Sequence, residues 1–300
     1  MLQKFDKKNR DLIININGEL LHRDKAGISP FDSAVQGGDA VWEGLRVYDG
    51  KIFRLRAHLD RLRNSALALD FAQIPSHETI TEEIKRTLEA NQIRDSAHIR
   101  LTLTRGEKIT SGMDPRLNTI GPTLIVLAEH KGPVYDKSGL KLITSSVRRP
   151  SPDVLDPKIH HCNLIQSILA KIEATYSGAD DAIMLDQRGF VAETNATHLF
   201  IVKEDKLITS RLIACPEGIT RDVVIKLCSQ NQIKHEIRDY SLSEVYRADE
   251  MFCTGTMGEL APVTEVDGRI IGNGVTGPLT KHMSKLFKQC VAKEAEAILN

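Results

Sequence analysis

Val41-Trp42-Glu43-Gly44-Leu45-Arg46-Val47-Tyr48-Asp49-Gly50-Lys51-Ile52-Phe53 reads as two strands closed by Asp49-Gly50, a dipeptide that tolerates positive φ and so favours a tight hairpin. Immediately afterwards Leu55, Leu59, Leu62, Ala66 and Leu69 recur at helical spacing, which predicts an amphipathic helix over 56–70 with one buried face. A hairpin followed by such a helix is the seed of a sheet covered by helices. Upstream, Leu12-Ile13-Ile14-Asn15-Ile16 and Glu19-Leu20-Leu21 flank Asn17-Gly18, a second hairpin signal. Downstream, 78–91 reads as a further helix, and 98–104 and 123–128 read as strands from their β-branched and aliphatic content.

The chain turns polar at Lys131-Gly132-Pro133 and Lys137-Ser138-Gly139. This is the expected boundary, with a domain over 1–131, a linker over 132–138 and a second domain over 139–300. Three hundred residues suffice for two such cores. In the second domain the pattern predicts a strand over 140–147, a helix over 163–176, strands over 181–185 and 197–202, and a helix over 219–230. A short element at 241–246, a strand over 250–254, an Asp267-Gly268 turn and a C-terminal helix follow.

Acidic and basic residues balance at 40 each and are interspersed, which argues against a nucleic-acid or membrane-surface protein and for a small-molecule partner. No apolar run is long enough for a bilayer, and five scattered cysteines without a Cys-x-x-Cys pair read as reduced thiols. A cytoplasmic location is expected. The adjacent His160 and His161 diverge and are not expected to bind metal, Arg148-Arg149-Pro150 reads as a solvated loop, and the Asn195-Ala196-Thr197 sequon carries no meaning in that compartment.

Four clusters carry possible chemistry. Lys158 lies in Asp156-Pro157-Lys158-Ile159-His160-His161-Cys162-Asn163, ahead of a helix. A lysine amine can link covalently to an aldehyde cofactor and then move protons, although a lone lysine is most often a surface residue. Glu193 follows an apolar strand and the Arg188-Gly189 turn, so it is expected between buried strands, where a carboxylate needs a partner such as a protonated ring nitrogen. Its bland alternative is a solvated hairpin glutamate. Gly218-Ile219-Thr220-Arg221-Asp222 opens a helix whose first amides suit a phosphate, or merely a cap. Thr254-Gly255-Thr256-Met257-Gly258 offers a second loop of small residues and hydroxyls.

In this order and separation the clusters resemble class IV aminotransferases, the fold type IV pyridoxal phosphate enzymes that include branched-chain and D-amino acid aminotransferases and aminodeoxychorismate lyases. The resemblance runs from Val41–Tyr48 to Gly255-Thr256-Met257-Gly258-Glu259-Leu260-Ala261-Pro262-Val263. It implies an α/β small domain, a larger pseudo-barrel domain and a homodimer. It also implies pyridoxal 5'-phosphate as cofactor, with Lys158 as the covalent residue and Glu193 on the ring nitrogen. Arg61, Gly218, Ile219, Thr220, Gly255, Thr256 and Met257 would hold the phosphate end. Arg100 would meet a substrate carboxylate, while Trp42 and Arg46 would line the substrate pocket. The implied reaction moves an amino group between a branched-chain or apolar amino acid and 2-oxoglutarate. D-amino acid or R-amine transfer, lyase chemistry, and a non-catalytic binding protein on the same scaffold are the alternatives.

Three departures stand out. An ungapped match of 163–174 places His160 where relatives carry the lysine, and Lys158 takes that place only through a longer loop. Leu164 and Gly37 stand where many relatives have tyrosine. Loops before a helix tolerate insertion, which favours Lys158 at the sequence level.

Overall fold

The computed structural model describes residues 5–135 and 138–299. Asp136 and Lys137 of the expected linker lie outside these residues. The chain divides into two compact units, the first holding the described residues up to Gly132 with Ile159–Asn163 and the stretch from Glu294. The second holds Pro133–Lys158 and Leu164–Lys293. The division comes after Gly132, and two later segments, Ile159–Asn163 and the stretch from Glu294, group with the N-terminal unit. Physical pairing explains both. Residues Ala295–Ala297 form an edge strand on Lys51–Phe53, and Val41 and His161 form an isolated antiparallel bridge.

The N-terminal unit is a seven-stranded sheet ordered Ala295–Ala297, Lys51–Phe53, Ala40–Tyr48, Ala97–Thr104, Thr123–His130, Ile13–Ile16, Glu19–His22. Both predicted hairpins form, with Asn17 and Gly18 at φ 51° and 83° and Asp49 and Gly50 at 46° and 71°. Strand side chains alternate between faces. One face of the central strands, with Val41, Leu45, Val47, Ile99, Leu101 and Leu103, packs in one core with Leu59 and Leu62 of helix Leu55–Ala68 and Ile80, Ile84 and Leu88 of helix His77–Ala90. Each buried aliphatic side chain contributes roughly 2 kcal/mol. Ser76 caps the second helix by accepting from the Thr79 amide.

The C-terminal unit carries a nine-stranded sheet in which Leu140–Thr144 pairs in parallel with both Glu259–Val266 and Asp181–Leu185. Asp181–Leu185 and Val191–Thr194 are buried at every position. Such strands are covered on both faces and carry no polar-out alternation. Helix Ile165–Tyr176 lays Ala170 and Ala174 against Ala182 and Met184, two small side chains that let the backbone approach closely. Helix Pro278–Glu294 begins on Glu250, whose carboxylate accepts from the amides of Leu279 at 3.0 Å and Thr280 at 2.7 Å. Gly277 is required beside it, since a Cβ there would stand 2.0 Å from the Glu250 carboxyl carbon.

Candidate functional site

In the C-terminal unit Glu193 is 4% exposed, within the strand Val191–Thr194. Its charge has a partner that the sequence did not announce: Arg149 Nη2 pairs with Glu193 Oε1. Arg149 was expected in a solvated loop. The structure corrects this, because the guanidinium is buried, its Nε donating to the Ala214 carbonyl and its Nη1 to Ser167 Oγ. Burying two charges is tolerable only when both are paired and hydrogen-bonded. His198 Nδ1 stands 3.9 Å from Glu193 Oε2.

The same imidazole explains the glycine at the next helix start. A Cβ on Gly218 would lie 2.3 Å from the His198 ring, so the residue before helix Ile219–Gln230 can carry no side chain. No side chain caps this helix, which leaves the amides of its first turn turned outward at the positive end of its dipole. Thr220 and Arg221 are buried in that turn, and Arg221 donates from Nη2 to the Ser210 carbonyl. His198 is the cross-strand partner of Thr254, and a Cβ on Gly255 would meet Thr197 Cγ2 at 3.1 Å. Thr256 and Met257 are half-buried in the turn between strands Glu250–Gly255 and Glu259–Val266. Thus Glu193, Gly218 and Gly255 are linked through His198 and its strand.

The donor inventory fits a phosphorylated pyridine. A buried carboxylate serves a ring nitrogen, and uncapped helix amides serve a phosphate. Thr254 Oγ1 and Arg221 Nε are buried without a hydrogen-bond partner among the described residues. Orphaned buried groups of this kind mark a place that another molecule completes.

In the N-terminal unit the residue that the sequence reading passed over is Glu43. By strand alternation it points to the same side as Val41 and Leu45, into the aliphatic core, and it is fully buried. The helix opposite answers with His58 and Arg61, one turn apart. Arg61 Nε and Nη2 donate to the two carboxylate oxygens at 2.7 and 2.8 Å, and His58 Nδ1 lies 2.6 Å from Oε2. Burial raises the Glu43 pKa, but the Arg61 and His160 charges and hydrogen bonds outweigh it and hold the carboxyl well below its usual range. Arg61, expected at a phosphate, therefore commits two of its nitrogens to Glu43. The available signal was a glutamate midway between Val41 and Leu45 on the strand face that is otherwise aliphatic.

His160 completes this cluster. Its Nδ1 lies 2.5 Å from the Trp42 carbonyl oxygen and 3.3 Å from Glu43 Oε1, and its ring stacks on Trp42 with centroids 4.3 Å apart. Burial and the Arg61 charge push its pKa down. Trp42 is further clamped by Arg100, whose guanidinium carbon lies 3.5 Å over the indole, and Arg100 Nη2 reaches Cys162 Sγ at 3.9 Å. Arg46 lies over the Tyr48 ring at 4.9 Å. Lys158 differs from all of these. Its side chain is exposed, and its backbone amide donates to Asp156 Oδ1.

Residues 40–266 match the sequence profile of the family described as Amino-transferase class IV. The Arabidopsis thaliana branched-chain-amino-acid aminotransferase-like protein 2 is 53% identical over 94% of this chain, which spans about half (51%) of that relative's length. A putative branched-chain-amino-acid aminotransferase of Methanocaldococcus jannaschii is 41% identical over 93% of this chain and 96% of its own. Among solved structures, the T.th. branched-chain amino acid aminotransferase complexed with N-(5'-phosphopyridoxyl)-L-glutamate superposes with a TM-score of 0.89 at 30% identity, covering 97% of this chain and 99% of that one.

Proposed function

The chain belongs to the class IV aminotransferase family, and from that premise we propose that it is a pyridoxal phosphate-dependent aminotransferase that moves the amino group of a branched-chain or similar apolar amino acid to 2-oxoglutarate. The observation that carries this reading is the buried Glu193, pinned by Arg149 and next to the glycine-opened, uncapped start of helix Ile219–Gln230. Pyridoxal phosphate, when bound, supplies an electron sink for the substrate's α-carbon. Glu193 would meet the protonated ring nitrogen of the bound cofactor, with its carboxylate oriented by the ion pair to Arg149. The amides of Gly218, Ile219 and Thr220 and the loop of Gly255, Thr256 and Met257 would hold the phosphate, while the phosphate role that the family resemblance gives Arg61 falls on a guanidinium whose Nε and Nη2 are engaged by Glu43. Arg100 meets a substrate carboxylate, its guanidinium held in place by the Trp42 ring, while Trp42 and Arg46 shape the surrounding surface.

Branched-chain specificity draws support from relatives such as the Methanocaldococcus jannaschii protein and the T.th. structure complexed with 4-methylvaleric acid, a branched aliphatic acid. A panel of L- and D-amino donors and R-amines with 2-oxoglutarate tests it. Glutamate formation led by leucine, isoleucine or valine is expected, and activity confined to D-alanine or an R-amine would remove the branched-chain assignment.

Assembly as a homodimer is part of the proposal. Ile165, Ile168, Leu169, Ile172 and Tyr176 fall on one side of helix Ile165–Tyr176 and are between 44% and 89% exposed. An apolar face of this extent suits burial against a second copy. A cytoplasmic setting fits the five free cysteines. Among the described residues no helix is long and apolar enough to cross a membrane.

A second reading, a cofactor-binding protein without a covalent lysine, is favoured by one observation: it is His160, and not Lys158, that is built into the buried network around Glu43.

A further inference from the structure

We infer that Asp181 and Tyr135 are positioning residues of the cofactor site: a buried carboxylate and the phenol it holds fix the turn Thr256-Met257-Gly258 relative to the strand of Glu193, and so set the preference for a phosphorylated pyridine aldehyde over its unphosphorylated form. The inference rests on the cofactor reading above and deepens it.

Asp181 opens the strand Asp181–Leu185 of the C-terminal unit and is 3% exposed. A carboxylate so placed needs donors, and its two oxygens find them in different directions. Oδ1 accepts from Lys171 Nζ at 2.9 Å and from Asn195 Nδ2 at 3.2 Å, while Oδ2 accepts from the Tyr135 hydroxyl at 2.6 Å. Asn195 stands two residues beyond Glu193. Its Oδ1 accepts from the Ala182 amide at 2.8 Å, and its own amide donates to the Ala182 carbonyl at 2.9 Å. The first oxygen of Asp181 therefore secures the end of the strand that carries Glu193.

The second oxygen leads to the turn. Burial and the Asp181 charge push the Tyr135 pKa up, so the phenol keeps its proton and donates. The phenol ring lies against Gly258, where a Cβ would stand 2.3 Å from Tyr135 Cδ2. Next to it the Val134 amide donates to the Met257 carbonyl at 3.5 Å, and within the turn the Gly258 amide donates to the Gly255 carbonyl at 3.3 Å. Both amide bonds are long and therefore weak, so the short bond from Tyr135 to Asp181 is the firm link in this brace. Losing it frees the ring and, with it, the turn. Glu193 meanwhile keeps its pair with Arg149 and its place opposite Met184 on the neighbouring strand. The loss should thus fall on the phosphate end of the ligand and spare the ring end. A tyrosine–aspartate bond that only stabilises the fold would show no such selectivity, and Tyr246, which donates to Asp267 Oδ2 at 2.8 Å in the same unit, supplies that comparison.

The test uses the full chain, prepared free of cofactor, and reads its affinity for pyridoxal 5'-phosphate and for pyridoxal by calorimetry, with thermal unfolding alongside. Tyr135→Phe keeps the ring and removes one oxygen. Its affinity for pyridoxal 5'-phosphate should fall about tenfold, as for the loss of one hydrogen bond, with its affinity for pyridoxal unchanged. Its unfolding temperature should drop no further than that of Tyr246→Phe, which should bind both ligands as wild type does. Asp181→Ala also releases Asn195 and should weaken both ligands, and adding Tyr135→Phe to it should cost nothing more, because the acceptor is already gone. Wild-type affinity of Tyr135→Phe for pyridoxal 5'-phosphate, an equal loss for the two ligands, or the same loss in Tyr246→Phe overturns the inference and leaves the cofactor reading intact. Absence of saturable pyridoxal 5'-phosphate binding by the wild type overturns the cofactor reading and the inference together. Because Tyr135→Phe removes no carbon, that arm decides the matter even if Asp181→Ala does not fold.

Discussion

His160 Nδ1 and the Trp42 carbonyl oxygen lie 2.5 Å apart, and because a carbonyl cannot donate, this one relationship fixes the tautomer of the imidazole. Nitrogen-15 NMR of histidine-labelled protein is expected to show a pyridine-type Nε2 for His160 near neutral pH, and to show it still below the ordinary histidine range, since burial and the Arg61 charge lower its pKa. An Nε2–H signal would contradict the network described above.

Glu43 holds together Arg61, His58 and His160 inside an aliphatic core. Glu43→Ala leaves a buried guanidinium without its counter-charge and is expected to cost about 3–5 kcal/mol in urea unfolding. Glu43→Gln keeps the shape and part of the hydrogen bonding, and should cost less. Equal stability of Glu43→Ala and wild type would show that the network contributes nothing.

Arg149 plays the corresponding part for Glu193. Arg149→Met retains much of the volume but strands the carboxylate, and a loss of about 3 kcal/mol is expected. A double change with Glu193→Gln should recover part of it, which a double-mutant cycle reads directly.

His98 makes stability depend on acid. It is 3% exposed, and burial, reinforced by the Arg46 and Lys131 charges, lowers its pKa from 6.5 to about 3. Below pH 6.5 the unfolded chain binds a proton that the folded chain refuses until about pH 3, so stability is lost as the pH is lowered through this window. The slope from this one group is about 1.4 kcal/mol per pH unit. Urea unfolding of His98→Leu between pH 6.5 and 4.5 should be flatter by that amount, and an unchanged slope would count against a neutral buried His98.

Much of the N-terminal unit was legible because its turns have a local cause: Asn17-Gly18 and Asp49-Gly50 accept positive φ, and the leucine spacing after Phe53 is helical. The edge strand Ala295–Ala297 was not legible. Ala-Glu-Ala has no strand preference, and the segment is held by Lys51–Phe53, a partner remote in sequence. At the site, Glu193 and the glycine loops were each weak signals that stood out only together, through their resemblance to one family's motif order, whereas Arg149 looked like a solvated arginine because its partner lies on a strand remote in sequence. Glu43 stood in plain view within Val41–Tyr48, but its importance appears only when the two faces of that strand are separated.

The most direct test of the central claim is calorimetric titration of the full chain and of Glu193→Gln with pyridoxal phosphate. The account predicts one site per chain, with affinity weakened about 10- to 100-fold in the variant, as expected for loss of a charge-assisted hydrogen bond. Identical affinities, or no saturable binding to the wild type, would contradict it.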